Sequence, residues 1–223
     1  MKKSIAFMAL GGLLVAGSAQ AFESTLTIGA MAGTTGIGPE ASWRFHERFS
    51  VSANYTDGLD YSGDYETDDV NYSGDIGLQA GILKFDYFPF AGRFYLTAGA
   101  ALPDMTADVN GTSNLSGGEF EFNGNLYNQE DIGSLNGSLV VADSVQPYVG
   151  IGWRSSHRSG FGVFSELGVM TTDVDVSLST ANGLEQSNAQ LASDLREEER
   201  KLQEDADELS VFPVVTLGVS YTF

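Results

Sequence analysis

The chain contains no cysteine, so neither disulfide cross-links nor thiol chemistry can act in it. Proline is scarce at 5, while glycine reaches 27 and falls mostly inside alternating segments, which suits a strongly curved sheet. Bases are few: 11 Lys and Arg stand against 30 Asp and Glu, giving a formal charge of −19. That balance argues against a nucleic-acid partner, which needs a basic face for its phosphates. Long apolar runs are also missing, with one exception. IAFMALGGLLVAG (5–17) follows Lys2 and Lys3 and precedes Ser18-Ala19-Gln20-Ala21, an A-x-A cleavage site. Residues 1–21 therefore have the form of a secretory signal peptide, cut after Ala21 in Sec-type export. Nothing later approaches the roughly 20 apolar residues that a spanning helix needs. The mature chain, 22–223, reads as one unit.

What is present is alternation. Eight segments carry it: Thr25–Gly33, Gly36–Arg44, Phe49–Thr56, Asp75–Phe88, Arg93–Leu102, Val145–Trp153, Phe161–Thr172 and Val211–Phe223. One face holds residues such as Leu26, Ile28, Phe94, Leu96, Val149, Ile151 and Trp153. The other is small, polar or tyrosine: Thr27, Gly29, Tyr95, Thr97, Gly99, Tyr148, Gly150 and Gly152. Alternation alone fits a barrel of either polarity, apolar side in or out.

The connections decide the polarity. After a first brief link at Thr34-Thr35, tight links (FHER, PFAG, RSSHRSG) alternate with long ones at 57–74, 103–144 and 173–210. Short turns on one side, long loops on the other and strands of about ten residues are the pattern of an outer-membrane barrel. Trp43, Phe45, Phe49, Phe88, Phe90, Phe94, Trp153, Phe161 and Phe223 gather toward the turn side, as an interfacial girdle does. The terminal strand VTLGVSYTF is expected to pair with the first and remove the edge. Its Tyr221 and Phe223 match a carboxyl-terminal assembly signal read by the barrel insertion machinery. The expected fold is thus all-β: an eight-stranded antiparallel transmembrane β-barrel with long acidic extracellular loops and a helix in the last loop.

The long connections carry the charge. Residues 57–75 hold Asp57, Asp60, Asp64, Glu66, Asp68, Asp69 and Asp75 with no base, and the first six form an expected acidic mouth. Residues 103–144 are likewise acidic without a base, while Arg44, Arg48, Arg93, Arg154 and Arg158 sit at the short turns. A helix is expected over 184–209, with leucines seven apart at 184 and 191, and again at 195, 202 and 209. That sparse stripe fits a solvated surface helix, a cover for the barrel mouth or a partner's helix.

Four charged residues fall on the polar face: Glu40, Lys84, Asp86 and Glu166. With Tyr95 and Tyr148 they form the expected lumen path. An eight-stranded barrel is just wide enough for its own side chains to fill. Lone charges there are costly, so these are expected to pair. Two readings stay open: a salt-bridged plug, or a gated path preferring small cationic solutes. Placing Lys84 inward assumes a register change near Gly81–Ile82. The acidic stretch DGLDYSGDYETDD does not match the spacing of a calcium loop. Loose binding of divalent cations, bridging to lipopolysaccharide, is the alternative to solvated surface charge. No cofactor is implied. Catalysis is not expected, because His46 and His157 lie in the short turns and there is neither G-x-S-x-G nor a cysteine nucleophile.

AGTTGIG (32–38), WRFHERFSVSANY (43–55), FYLTAGAAL (94–102), QPYVGIGW (146–153), FGVFSELGV (161–169) and FPVVTLGVSYTF (212–223) together resemble the CarO-type eight-stranded outer-membrane proteins. They also look like the wider outer-membrane β-barrel domain family. The resemblance implies residence in the bacterial outer membrane and passive uptake of small solutes such as ornithine and other basic amino acids. The same resemblance implies that so narrow a barrel need not show an open pore. No site residue carries over by position.

Overall fold

A computed structural model describes residues 23–66, 70–113, 119–142, 144–155, 158–207 and 210–223. The signal peptide, Asp68, Asp69, His157 and Leu209 lie outside the described residues. In chain order the strands are β1 (Thr25–Gly33), β2 (Gly36–His46), β3 (Phe49–Glu66), β4 (Val70–Tyr87), β5 (Phe94–Ser113), β6 (Glu119–Phe122) and β7 (Asn125–Asn128). After helix α1 (Gln129–Ile132) come β8 (Leu135–Ala142), β9 (Gln146–Arg154), β10 (Gly160–Thr171) and β11 (Asp175–Thr180), then helix α2 (Ala189–Ala206) and β12 (Val211–Thr222).

Eight of these close a ring: β1, β2, β3, β4, β5, β9, β10 and β12, each antiparallel to its neighbours. The ring closes where β12 meets β1, from Thr27 opposite Thr222 to Gly33 opposite Thr216. All eight expected strands are present, and β1 has the expected bounds. The exterior is apolar, with Leu26, Ile28, Leu83, Leu96, Val149, Ile151, Leu167, Leu217 and Val219 all exposed. A closed ladder with an apolar outside is what hydrocarbon demands, since no water is there to satisfy a free edge. The fold is an eight-stranded antiparallel barrel of the transmembrane type.

Proline placement follows the ladder. Four of the five prolines lie within strands, where a missing N–H ordinarily breaks a ladder bond. Pro103 sits where β5 leaves β9, last paired at Ala101, and takes up β8 at Met105. Pro213 lies beyond the reach of β1, which ends opposite Thr216. Pro39 faces the interrupted stretch of the β2–β3 pairing, between Ile37 and Glu40. In each case one flank needs no donor.

Three expectations need correction. The segments 57–74, 103–144 and 173–210 are largely ordered secondary structure rather than plain loops. Strands β3, β4 and β5, with full lengths of 18, 18 and 20 residues, run on past the barrel. The outward half of β5 then pairs with β8, and β8 with β11, so the barrel sheet continues into an external lobe. The second correction concerns Lys84. No register change occurs at Gly81–Ile82, because β4 stays in step with β5 from Val70 to Tyr87. The irregularity lies instead on β3, between Thr56 and Leu59. Ile82 breaks the expected pattern only because it faces inward, as part of an apolar layer with Ala80, Ala101, Met105, Tyr148, Met170 and Val214. Third, Phe88 is not in the girdle. It is buried and packs inside against Tyr95, 5.4 Å between ring centroids. Trp43, Phe45, Phe90, Phe94, Trp153, Phe161 and Phe223 do face outward.

In the lobe, the hairpin β6–β7 turns at Asn123-Gly124, both with positive φ, as a two-residue primed turn requires. Helix α2 starts at Asn188, whose side chain accepts from the N–H groups of Gln190 (3.1 Å) and Leu191 (3.2 Å). A short 3-10 turn at Leu184–Gln186 precedes it, so the expected helix is divided in two. Leu191 and Leu195 pack with Phe120, Phe122 and Ile132 into a second core. The helix also guards an edge. Glu199 accepts from the Leu178 N–H at 2.7 Å and Gln203 from the Val176 N–H at 3.0 Å, occupying the free side of β11. A Glu199→Ala/Gln203→Ala variant should lose about 1 kcal/mol per bond, read as faster hydrogen exchange at the Val176 and Leu178 amides. Unchanged protection there would show the edge is guarded by packing instead.

Candidate functional site

The inward residues of β4 order the lumen. From the turn side outward they run Asp86, Lys84, Ile82 and Ala80, with Phe88 just beneath. Lys84 on β4 and Glu166 on β10, three strands apart around the ring, form its central contact. Lys84 Nζ donates to both carboxylate oxygens of Glu166 at 2.8 Å. Tyr148 donates its hydroxyl to Oε1 at 2.7 Å and Tyr95 to Oε2 at 2.8 Å. The carboxylate thus meets one ammonium and two phenols, all buried.

Glycines on the adjacent, hydrogen-bonded strands make room for those rings. A Cβ on Gly152 would lie 2.1 Å from the Tyr95 ring, and one on Gly168 would lie 2.2 Å from the Tyr148 hydroxyl. Bare backbone opposite each tyrosine lets the phenols reach the centre of so narrow a cylinder.

Three further sets lie in the interior. Asp86 Oδ2 accepts from Ser50 at 2.7 Å and Ser52 at 2.9 Å, all on adjacent strands. Glu40 is bonded by Arg154, whose guanidinium also lies over the Phe164 ring at 4.8 Å. Arg44 lies over the Phe88 ring at 3.9 Å and donates to the Gly92 carbonyl at 3.3 Å.

All six expected lumen residues are therefore inside, but they do not form one cluster. Only Lys84, Glu166, Tyr95 and Tyr148 bond together, while Glu40 and Asp86 each have separate partners. Arg44 and Arg154, expected at a basic rim, turn inward and are buried, so Lys84 has company as an interior cation. Period two carried that signal: Arg44 shares the parity of Glu40 and Ser42, and Arg154 that of Tyr148.

Of the expected mouth, Asp57, Asp60, Asp64 and Glu66 lie on β3, in the β3–β4 ribbon, rather than on a loop. Asp57 and Asp64 are exposed, and Asp57 accepts from the Gly58 N–H at 2.6 Å. Asp60 and Glu66 fall within β3. Among the described residues, no group of three or more His, Asp or Glu side chains could hold a metal ion. Tyr221 stacks edge-on with Phe161 and Phe223, 5.0 Å from each, and the Phe223 N–H donates to Leu26 at 2.9 Å.

One buried carboxylate lies outside the barrel. Asp194 on α2 accepts from Tyr127 (2.6 Å), Asn125 (2.9 Å) and Gln190 (3.1 Å), tying the helix to the β6–β7 hairpin. The Tyr127 hydrogen bond, ahead of those from Asn125 and Gln190, holds the Asp194 carboxyl below the usual aspartate range despite burial.

A closed ladder, an apolar exterior and an interior of mutually bonded charges define a narrow, side-chain-filled transmembrane β-barrel. Among solved structures the chain is similar to the crystal structure of Acinetobacter baumannii CarO2, with TM-score 0.57 and 23% identity over 89% of this chain and 98% of that one. It is also similar to Acinetobacter baumannii CarO, with TM-score 0.56 and 22% identity over 88% and 97%. The fold is of the CarO type, as the strand and turn motifs implied. No family model matches the chain, and neither does any curated protein.

Two outcomes are expected of this chemistry. Lys84→Met strands the Glu166 carboxylate and should cost about 3–5 kcal/mol, read from urea unfolding of the refolded protein in micelles. Adding Glu166→Gln should recover much of that loss, and a strictly additive double mutant would mean the two do not interact. Asp194 gives a pH dependence. Because its folded pKa lies below the unfolded value of about 3.9, its contribution is present above that pH and lost as pH falls through the folded value. Urea titrations followed by near-ultraviolet dichroism from pH 6 to 2.5 should show this decline, and Asp194→Asn should flatten it. A decline of equal size in both proteins would assign it elsewhere.

Proposed function

We propose that the protein is an outer-membrane barrel whose lumen is closed by its own side chains, and whose external lobe is the part that meets solutes and partners. The observation carrying this reading is the inward run Phe88, Asp86, Lys84, Ile82 and Ala80, each no more than 3% exposed. A hydrated pore leaves its lining carboxylates accessible to water. Here all three carboxylates are buried and accept from internal donors, Glu166 through both oxygens and Glu40 and Asp86 through one each, and Met105, Met170 and Val214 add an apolar layer on the outward side. The reading includes export through the 1–21 leader and insertion by the barrel machinery, with Tyr221 and Phe223 as its signal. It also takes lipid and lipopolysaccharide as the surroundings.

Uptake of small cationic solutes is the second reading, and one arrangement favours it. The Lys84 ammonium rests on the Glu166 carboxylate, which two phenols orient, and the same carboxylate would receive the ammonium of a basic amino acid. On this reading the exposed acids of the β3–β4 ribbon raise the local cation concentration, and an incoming solute displaces Lys84 from Glu166.

Planar-bilayer recording with arginine uptake into liposomes decides between the two. The closed reading expects silence from the wild-type protein in both assays. Steady cation-selective flux that falls in Glu40→Gln/Glu166→Gln would move the function into the lumen.

A further inference from the structure

We infer that the external lobe holds a binding site for a small amphipathic cation, an amine or guanidine joined to an aromatic or aliphatic body. This rests on the reading of the lobe as the part that meets solutes. Between β5, β6, β8, β11 and α2 lies a half-open cavity of about 610 Å³. That is within the roughly 300–1,000 Å³ typical of small-molecule sites.

The cavity follows from how α2 is held. Its leucine stripe is packed at one end, with Leu191 at 0% and Leu195 at 3% exposure, but Leu202 is 42% exposed. Beside the cavity, Val109 is 41% exposed as well. At this end α2 meets the sheet through Glu199 and Gln203, whose side chains reach the backbone of β11. The helix is tied here to the strand edge by polar contacts, while Leu202 stays exposed and lines the cavity with Leu139 and Leu178. The floor is one face of the sheet. Along β5 it continues the parity of Tyr95, Thr97 and Met105, the side that faces the lumen below.

Charge selects the occupant. Three carboxylate residues, Glu119, Glu121 and Glu198, contribute to the lining, and no basic residue does. Glu198 also accepts from Lys201 at 3.1 Å, an exposed pair that screens it only in part. An apolar body fits the sheet face while a positive head meets the carboxylates. An anion of the same shape meets uncompensated repulsion.

The test uses three fluorescent probes with one body: 1-naphthylmethylammonium, neutral 1-naphthylmethanol and anionic 1-naphthylacetate. Binding to the full refolded protein in zwitterionic micelles is followed by fluorescence polarisation. The ammonium probe should bind about fivefold or more tighter than the anion, the scale of a partly exposed ion pair. Leu202→Trp, which fills the cavity from an already exposed position, should abolish binding. Glu119→Gln/Glu121→Gln should keep the body's binding but erase the preference for charge. Equal affinity for all three probes overturns the inference, and so does binding that survives Leu202→Trp in protein of unchanged heat-modifiable gel mobility. The bilayer assay remains independent. Flux would sink the closed-lumen reading, whereas silence without probe binding would sink this one alone.

Discussion

Ring closure between β12 and β1 is the constraint on which the rest of the molecule depends. In hydrocarbon an unpaired strand edge has no water to bond, so the sheet must meet itself. With eight strands, closure sets a cylinder that side chains fill. From that width the interior chemistry follows. Inward polar groups draw their partners from the few others inside the ring: Glu166 finds three, while Thr97 Oγ1 and the second oxygens of Glu40 and Asp86 find none among the described residues. The glycines opposite Tyr95 and Tyr148 are part of the same constraint, because the rings have nowhere else to go.

The barrel was legible because one period governs it from end to end. Alternation, the rhythm of short and long connections and the terminal aromatic strand were enough to place eight strands and six inward residues. Pairing was less legible. Whether Lys84 meets Glu166 or Glu40 depends on the stagger of strands across the ring, and a linear pattern does not carry stagger. Ile82 misled because an inward apolar layer looks, in sequence, like a slip of register. Arg44 and Arg154 were assigned by nearness to turns when their parity already pointed inward.

The external lobe was hardest to read, for a different reason. Its strands are held by partners distant in sequence, such as β8 beside both β5 and β11. Its acidity also masked the alternation. One element was readable after all: EFEFNGNLYN carries Asn-Gly between alternating aromatics, a strong short-range sign of a hairpin. The helix was found, but its role as guard of an edge was not. That role depends on Glu199 and Gln203, which read as ordinary surface residues.

Strand β5 belongs to both parts of the molecule. Of its 20 residues, Leu96 to Ser113 make one uninterrupted ladder with β4, while its other flank exchanges β9 for β8 at Pro103. At about 3.3 Å per residue this is a spar roughly 65 Å long. Barrel and lobe are therefore joined by a shared beam and not by a hinge. The strand that carries Tyr95 into the lumen thus also carries Val109 into the lobe, so the two parts share one backbone.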